Sequence, residues 1–255
     1  MKLPKYRSIF ISDLHLGSKN SKAKEVENFL KCNSCETLYL VGDVIDGWKF
    51  QQNRSKWKNS HSEVIRRLLK LHRNDTKIVY VIGNHDEFFR LMLPYELEVG
   101  NIKLCNEIEH ISVYGEKYLV VHGDLFDGIT RLAPWLSFLG DKGYDFILAL
   151  NTKYNWIRHK LGFGYWSFSK FLKHRVKKAV DFIFKFETNI SNHCKRKGYV
   201  GVICGHIHHP EMKHINDVHY MNCGDWVESL TAIVEHHNGT FELIHYNEKD
   251  TNNNG

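Results

Sequence analysis

Short apolar runs recur along the chain, and almost every one ends in glycine or a polar residue. The runs are rich in valine, isoleucine and tyrosine: SIFISD, TLYLVGD, KIVYVIGNHD, KYLVVHGD, YVGVICGH and VHYMNCGD. Runs of this length and composition are typical of strands that are buried on both faces. Helical spacing over residues 21–31 and 60–73 separates the early runs. The first half of the chain therefore predicts an α/β fold.

The pattern changes after residue 218. There, strand-like runs surround HHNGT, in which Asn-Gly favours the positive φ angles of a hairpin turn. We therefore expect a second, largely antiparallel sheet to join the first. Residues 125–197 show helical spacing instead, and the C-terminal DTNNNG has the composition of a disordered tail. The expected division is a core of residues 1–124 and 198–248, a helical cap insertion at 125–197 and a tail at 249–255.

The polar residues at the predicted strand ends form one set. In an open α/β sheet the C-terminal ends of the strands line one edge, so residues far apart in the sequence meet there. Crowded carboxylates and imidazoles are costly unless cations lie between them. The set contains oxygen and nitrogen donors and no thiolate, which favours manganese, iron or zinc over a cysteine-bound structural zinc. Its members are Asp13, His15, Asp43, Asn84, His122, His206 and His208.

Seven ligands are too many for one ion, and an aspartate can bridge two. Asp43 is the bridging candidate. Two ions about 3.5–4 Å apart can hold a phosphoryl oxygen and lower the pKa of a bound water, which is the arrangement used to hydrolyse phosphate esters. We therefore predict two divalent ions, from among Mn²⁺, Fe²⁺ and Zn²⁺, and hydrolytic chemistry.

Composition indicates where in the cell the protein is found and the state of its cysteines. The chain is 42% hydrophobic and 25% charged, its first apolar run is short and broken by Asp13, and no run approaches the roughly 20 residues of a membrane span. We therefore expect a cytoplasmic globular protein. The six cysteines include a single CxxC, Cys32 and Cys35, without a second pair, which favours reduced structural thiols over a zinc ribbon or a disulfide framework.

The positive charge is concentrated in the predicted cap. Residues 153–197 hold 12 lysines and arginines against two acids, together with ten aromatic residues, while the whole chain has a net charge of only +6. From residue 168 the apolar positions recur at spacings of three and four, which predicts a helix whose apolar face is core. The basic excess implies an anionic partner, either a lipid-linked phosphate at a membrane surface or a nucleic acid strand. The candidate substrate-binding residues are Arg158, Lys173, Arg175, Lys177 and Lys178.

The ordered series D-x-H, GD, GNHD, H and GH-x-H, spread over residues 13–208, resembles the calcineurin-like binuclear metallophosphoesterases. The resemblance implies a four-layer α-β-β-α sandwich, of α/β (α+β) class, with a dinuclear site at the sheet edge and an inserted helical cap. By motif position it implies one ion held by Asp13, His15, Asp43 and His208. It implies a second ion held by Asp43, Asn84, His122 and His206.

The histidine of GNHD, His85, has a separate role in this resemblance. In phosphatases of the family the histidine at this position contacts the phosphate and protonates the leaving oxygen, and an imidazole titrates in the range that this role needs. His85 and Asn84 are therefore the candidate catalytic residues. We expect Asp86 to orient His85, because a carboxylate commonly fixes the orientation of an imidazole beside a metal.

A finer resemblance concerns the substrate. The chain length, the helical insertion between HGD and GHIH, and the ending GDWVESLTAIVE resemble the UDP-2,3-diacylglucosamine pyrophosphatase group. This implies cleavage of a UDP-linked diacyl sugar to UMP and a lipid sugar phosphate in lipid A synthesis, with manganese preferred and peripheral contact with the inner membrane. That group commonly has arginine where this chain has His85. The alternatives are a hydrolase of the same fold that acts on a nucleotide or nucleic acid, and a non-catalytic binding module.

Overall fold

The computed structural model describes residues 5–52, 55–92, 97–126, 160–161 and 168–247. The strands are β1 (Tyr6–Ile11), β2 (Cys35–Val41), β3 (Lys77–Val81), β4 (Leu97–Val99), β5 (Ile102–Cys105), β6 (Glu107–Ile111), β7 (Lys117–Val121), β8 (Gly201–Cys204), β9 (Glu211–Ile215), β10 (Val218–Asn222), β11 (Thr231–Glu235) and β12 (Phe241–His245). The helices are α1 (Ala23–Cys32), α2 (Gly47–Gln51), α3 (Asn59–Arg73), α4 (Phe88–Met92) and α5 (Phe168–Lys197), with a short 3₁₀ turn at Asp124–Phe126.

The strands form two sheets. The first has seven strands in the order β12-β11-β1-β2-β3-β5-β4, of which β1, β2, β3 and β5 are mutually parallel. The second has five strands in the order β6-β7-β8-β10-β9, of which β7, β8 and β10 are parallel. Each apolar run of the sequence thus became a strand of a parallel core, and the mixed α/β class is confirmed.

The C-terminal strands do not build a separate antiparallel sheet as expected. The hairpin of β11 and β12 pairs with β1 and extends the first sheet, while β10 inserts into the second sheet parallel to β8. The local pattern correctly indicated the hairpin, whose turn has Gly239 at φ +81°. Which sheet a strand joins depends on contacts distant in sequence, and the alternation of side chains does not specify them.

The core has two layers, one on each face of the first sheet. On one face, Ile9, Ile11 and Leu38 pack with apolar residues of α1 and α3, such as Phe29 and Val64. On the other face, residues of β1, β2 and β3 pack with residues of β7, β8 and β10 in a second cluster, which includes Phe10, Tyr39, Val81, Val120, Ile203 and Met221. Successive residues at the end of β1 therefore face a helix layer and a sheet layer in turn, which explains why Ile9, Phe10 and Ile11 are all apolar.

The chain divides into two compact units, residues 1–126 with 188–255, and residues 127–187. The predicted domain boundaries at 124 and 197 stay a prediction, and the predicted tail lies outside the described residues. In α5 the predicted apolar stripe includes Ala179, Phe186 and Ile190, all of which are buried.

All six cysteines are free, and five of them are buried. Among the described helices, none combines the length and the apolar character needed to cross a bilayer.

Candidate metal centre

All seven predicted ligands lie in loops that follow the C-terminal ends of parallel strands. Asp13 and His15 follow β1, Asp43 follows β2 and Asn84 follows β3, while the other three follow β7 and β8. Five of the seven have a positive φ, between 46° and 72°: Asp13, His15, Asp43, His206 and His208. This backbone conformation costs on the order of 1–3 kcal/mol for a non-glycine residue and tends to persist where the surrounding structure demands it.

Backbone hydrogen bonds between the loops hold this strained geometry. The amide of Asp13 donates to the carbonyl of Gly42 (3.0 Å), and the amide of His15 donates to the carbonyl of Asp43 (2.9 Å). These bonds tie the loop after β1 to the loop after β2. The loops therefore present their side chains as one rigid group.

The first group of donor atoms comes from Asp13, His15 and His208. The Oδ1 of Asp13 is 3.1 Å from Nε2 of His208 and 3.6 Å from Nε2 of His15, and the two imidazole nitrogens are 3.4 Å apart. Ligands at about 2.0–2.2 Å from one ion have mutual separations of this size. The Oδ1 of Asp13 is buried and has no hydrogen-bond partner among the described residues. An orphaned, buried carboxylate oxygen facing two imidazole nitrogens fits a cation.

Asp43 lies between this group and a second one. Its Oδ2 is 3.9 Å from Nε2 of His15, and its Oδ1 is 3.4 Å from Nε2 of His122. The same His122 nitrogen is 3.3 Å from Oδ1 of Asn84, while Nδ1 of His122 is 2.9 Å from the carbonyl of Val41. Each oxygen of Asp43 thus faces a different cluster of donors, which is the geometry that a bridging carboxylate needs.

His206 lies beside the second group. Its ring is 5.0 Å from the ring of His122, edge to face, and its backbone amide donates to Oδ2 of Asp13 at 3.0 Å. The loop that carries His206 and His208 is therefore fixed to Asp13 through the main chain. All seven predicted ligands converge on one region, and their assignment to two particular ions stays a prediction.

The site is strongly polarised by its buried carboxylates. Burial alone would raise the pKa of Asp13, but the nearby imidazoles of His208 and His15 hold that pKa well below its usual value. The pKa of Asp43 is likewise lowered by His122 and His15 against the effect of burial. Burial would lower the pKa of His122, yet the Asp43 carboxylate raises it to about 10. Both aspartates are therefore ionised and carry the negative charge that attracts cations.

His85 is held by contacts on several sides. Its Nδ1 is 3.0 Å from Oδ1 of Asp46, its ring lies 4.0 Å from the ring of Trp48 and 4.7 Å from that of His15, and its Nε2 is 3.9 Å from Oδ2 of Asp43. Burial lowers the pKa of His85, but the hydrogen bond and charge of Asp46, with Asp43, raise it overall. An imidazole held in this way can keep a proton on the nitrogen that faces the site.

The carboxylate beside His85 is Asp46 and not Asp86. The two oxygens of Asp86 accept hydrogen bonds from the amides of Gly83 (2.6 Å) and Val44 (2.9 Å) and from the hydroxyl of Tyr80 (2.6 Å). Asp86 therefore fixes the shape of the loop, and the expectation that it orients His85 was wrong. Sequence reasoning missed Asp46 and Trp48, although a carboxylate three residues after Asp43, at the start of α2, was an available signal.

Gly83 lies in close contact with the metal-binding region. A Cβ at this position would overlap Oδ1 of Asp43 and would lie 2.5 Å from the amide nitrogen of Asp43. Position 83, the first residue of GNHD, therefore requires glycine, because the main chain after β3 passes directly against Asp43. This packing places Asn84 and His85 beside Asp43, whose Oδ1 accepts a hydrogen bond from the amide of His85 at 2.8 Å.

The structure describes the side chains of only two of the five predicted substrate-binding residues. Arg158 lies outside the described residues, as do the side chains of Lys173 and Arg175 on α5. Lys177 and Lys178 are exposed on α5, in the unit of residues 127–187. Their part in substrate binding stays a prediction.

The two facing sheets and the oxygen and nitrogen donors at their strand ends define the class of protein, which is a metal-dependent hydrolase of phosphate esters. The donor set fits divalent cations, and the lowered pKa values of Asp13 and Asp43 keep both carboxylates ionised. The particular family follows from comparison. The chain belongs to the calcineurin-like phosphoesterase family, whose model matches residues 6–210.

Curated relatives are similar over most of their length. UDP-2,3-diacylglucosamine hydrolase of Vibrio atlanticus is 25% identical over 89% of this chain and 93% of its own. The enzyme of the same name from Pseudomonas paraeruginosa is 28% identical over 79% of this chain and 82% of its own, and that from Shewanella loihica is 24% identical over 89% and 91%.

Proposed function

We propose that this protein hydrolyses the pyrophosphate bond of UDP-2,3-diacylglucosamine or a closely similar UDP-linked diacyl sugar, giving UMP and a lipid sugar phosphate. The observation that carries the proposal is the near full-length similarity to three enzymes of that name, which extends beyond the strand-end motifs. A substrate with two acyl chains lies at a bilayer surface. The protein would therefore act at the cytoplasmic face of the inner membrane, as a peripheral protein.

The site is proposed to hold two ions, with manganese as the preferred metal. Asp13, His15, Asp43 and His208 would bind one, and Asp43, Asn84, His122 and His206 the other. The separations of 3.1–3.9 Å between donor atoms around Asp13 and Asp43 support this assignment. When bound, such ions neutralise phosphate charge and lower the pKa of a coordinated water.

The side chains of the chain itself would position and protonate the substrate. Hydrolysis forms a bond from the water oxygen to phosphorus and breaks the bond to the leaving phosphate oxygen; a proton donated to that oxygen as the bond breaks is replaced by the one that the water loses. His85 is the proposed donor, since Asp46 holds its Nδ1 at 3.0 Å and leaves Nε2 facing Asp43. Asp46 would stabilise the protonated imidazole, and Trp48 would fix the plane of the ring. A positioned acid of this kind contributes on the order of 10²- to 10⁴-fold to the rate.

One observation favours a second candidate, a phosphodiesterase or phosphatase that acts on a simpler nucleotide or on nucleic acid. His85 stands where the lipid A pyrophosphatases resembled by the sequence commonly have arginine. Arginine is a permanent charge that binds phosphate in a bidentate manner, whereas histidine can also transfer a proton. The difference bears on the leaving group and leaves the metal chemistry unchanged.

Turnover of defined substrates separates the two candidates. The manganese-loaded protein is assayed with UDP-2,3-diacylglucosamine, with UDP-N-acetylglucosamine as the non-acylated control, and with bis(4-nitrophenyl) phosphate as a generic diester. A kcat/KM for the diacyl substrate at least 100-fold above that for the control supports the lipid assignment. A preference for the non-acylated compounds contradicts it and favours the second candidate. No hydrolysis of any of the three compounds would contradict both.

A further inference from the structure

A short segment beside His85 is built tightly against the metal-binding loops. It begins with α2, whose first amide, that of Gly47, donates to the carbonyl of His85 at 2.9 Å. A Cβ on Gly47 would lie 2.7 Å from that same carbonyl oxygen and 2.7 Å from the ring of Phe88. At the other end of the segment, the amide of Lys56 donates to the carbonyl of Gly17 at 2.9 Å. Residues 47–52 and 55–58 therefore lie along the loops that carry His15 and His85.

Three aromatic rings of this segment, which we call the aromatic lip, lie beside the loops that carry His15 and His85: Trp48, Phe50 and Trp57. Trp48 lies over His85 with its ring centroid at 4.0 Å and an angle of 31° between the planes. Phe50 packs against Gly17, two residues after His15, and its ring is 5.7 Å from that of Trp57. Phe50 is 44% exposed and Trp57 is 40% exposed.

The rings are exposed yet held in place. The indole nitrogen of Trp57 donates to the hydroxyl of Ser62 at 2.9 Å, and its ring meets the ring of His61 edge to face at 5.3 Å. His61 is fully buried, and its Nδ1 accepts a hydrogen bond from the amide of Gly17 at 3.1 Å. A chain of contacts therefore links Trp57 to the loop after β1. Exposed aromatic faces with fixed orientation are a feature of stacking surfaces rather than of a core.

We propose that the aromatic lip binds the base of a nucleoside phosphate, and so makes Trp48, Phe50 and Trp57 determinants of specificity. This inference rests on the proposed function, because it concerns the nucleotide half of the substrate. A phosphate within reach of Nε2 of His85 places one of its substituents beside Trp48, whose ring touches His85. A planar base can stack on such rings whatever its hydrogen-bonding pattern.

The charges of the segment favour a nucleotide over an acyl chain. Lys49, Lys56 and Lys58 belong to the same short stretch as the three rings. Alternating lysines and aromatic rings suit an anion that also carries a flat π system. An acyl chain needs a continuous apolar surface, and these lysines would lose solvation beside it.

Direct binding measurements test the inference without relying on turnover. Titration calorimetry on the full-length, manganese-loaded protein compares UMP with ribose 5-phosphate, which has the sugar and phosphate but no base. UMP should bind roughly five- to a hundred-fold more tightly. Trp57→Leu and Phe50→Leu should each reduce this ratio several-fold and leave the affinity for ribose 5-phosphate within twofold, whereas Trp57→Phe and Phe50→Tyr should retain most of it.

Tyr114→Leu is the matched control, because Tyr114 is also an exposed aromatic residue, with 72% of its surface accessible. It lies in the turn before β7, at the N-terminal end of that strand, whereas the metal-binding loops follow the C-terminal ends. This variant should leave the ratio unchanged. Equal affinities for UMP and ribose 5-phosphate in the unaltered protein would overturn the inference. So would leucine variants that weaken both ligands alike, or that weaken a diacylglucosamine phosphate and spare UMP. Selective UMP binding without hydrolysis of UDP-2,3-diacylglucosamine would uphold the inference while the proposed function fails.

Discussion

Replacing the central carboxylate, Asp43→Asn, should remove metal and activity together. The substitution keeps the shape of the side chain but removes its charge and one of its two acceptor oxygens. In the structure, one carboxylate oxygen faces His15 at 3.9 Å and the other faces His122 at 3.4 Å. Both proposed ions therefore lose an anionic ligand through one change.

The size of the effect follows from this shared position. Loss of a single residue that hydrogen-bonds to a metal ligand typically costs about 10–100-fold in metal affinity or activity. A ligand shared by two ions should cost at least that factor at each, so we expect kcat/KM to fall by roughly 10²–10⁴-fold or more. The fold should survive, because the backbone bond from the amide of His15 to the carbonyl of Asp43 does not involve the altered side chain.

The assay combines metal content with turnover. Elemental analysis after dialysis should find about two manganese ions per chain in the unaltered protein and fewer than one in Asp43→Asn, alongside hydrolysis of bis(4-nitrophenyl) phosphate. Asp217→Asn is the control, since it makes the same chemical change at a side chain that is 93% exposed. Two ions per chain and a rate within tenfold of normal in Asp43→Asn would refute the bridging role.

Three further predictions test other parts of the structure. His85→Ala should lower kcat by roughly 10²–10⁴-fold while both ions remain, and loss of metal would instead make His85 a ligand. Gly83→Ala should reduce metal content without disrupting the sheets, because its Cβ would overlap Asp43; normal metal content would contradict this close packing. Glu235→Gln should destabilise the protein by roughly 3–5 kcal/mol near pH 7, measured by denaturant unfolding. Burial raises the pKa of Glu235, but His110 and Arg7 lower it overall, so the carboxylate stabilises the fold above its unfolded pKa of about 4.3. The difference from the unaltered protein should shrink as the pH falls through the lowered folded pKa, and a constant difference would show that the ion pair is not its source.

The sequence indicated the strands and their polar ends because both are local properties. The IFI of β1 is apolar at every position, since Ile9 and Ile11 face the helices and Phe10 faces the second sheet. Parallel strands in one sheet bring their C-terminal ends to one edge, so the sequence alone places Asp13 and Asp43 together. The chemistry of the site was therefore readable from strand ends and residue types.

Contacts between loops were decided only by the tertiary structure. Asp86 is adjacent to His85 in the sequence, yet its carboxylate points into the loop and bonds to Gly83, while Asp46 reaches His85 from the next loop. The destination of the β11–β12 hairpin and the position of Trp48 over His85 were hidden for the same reason. Periodicity reports which face of an element is buried, whereas the partner across that face depends on how separate segments pack.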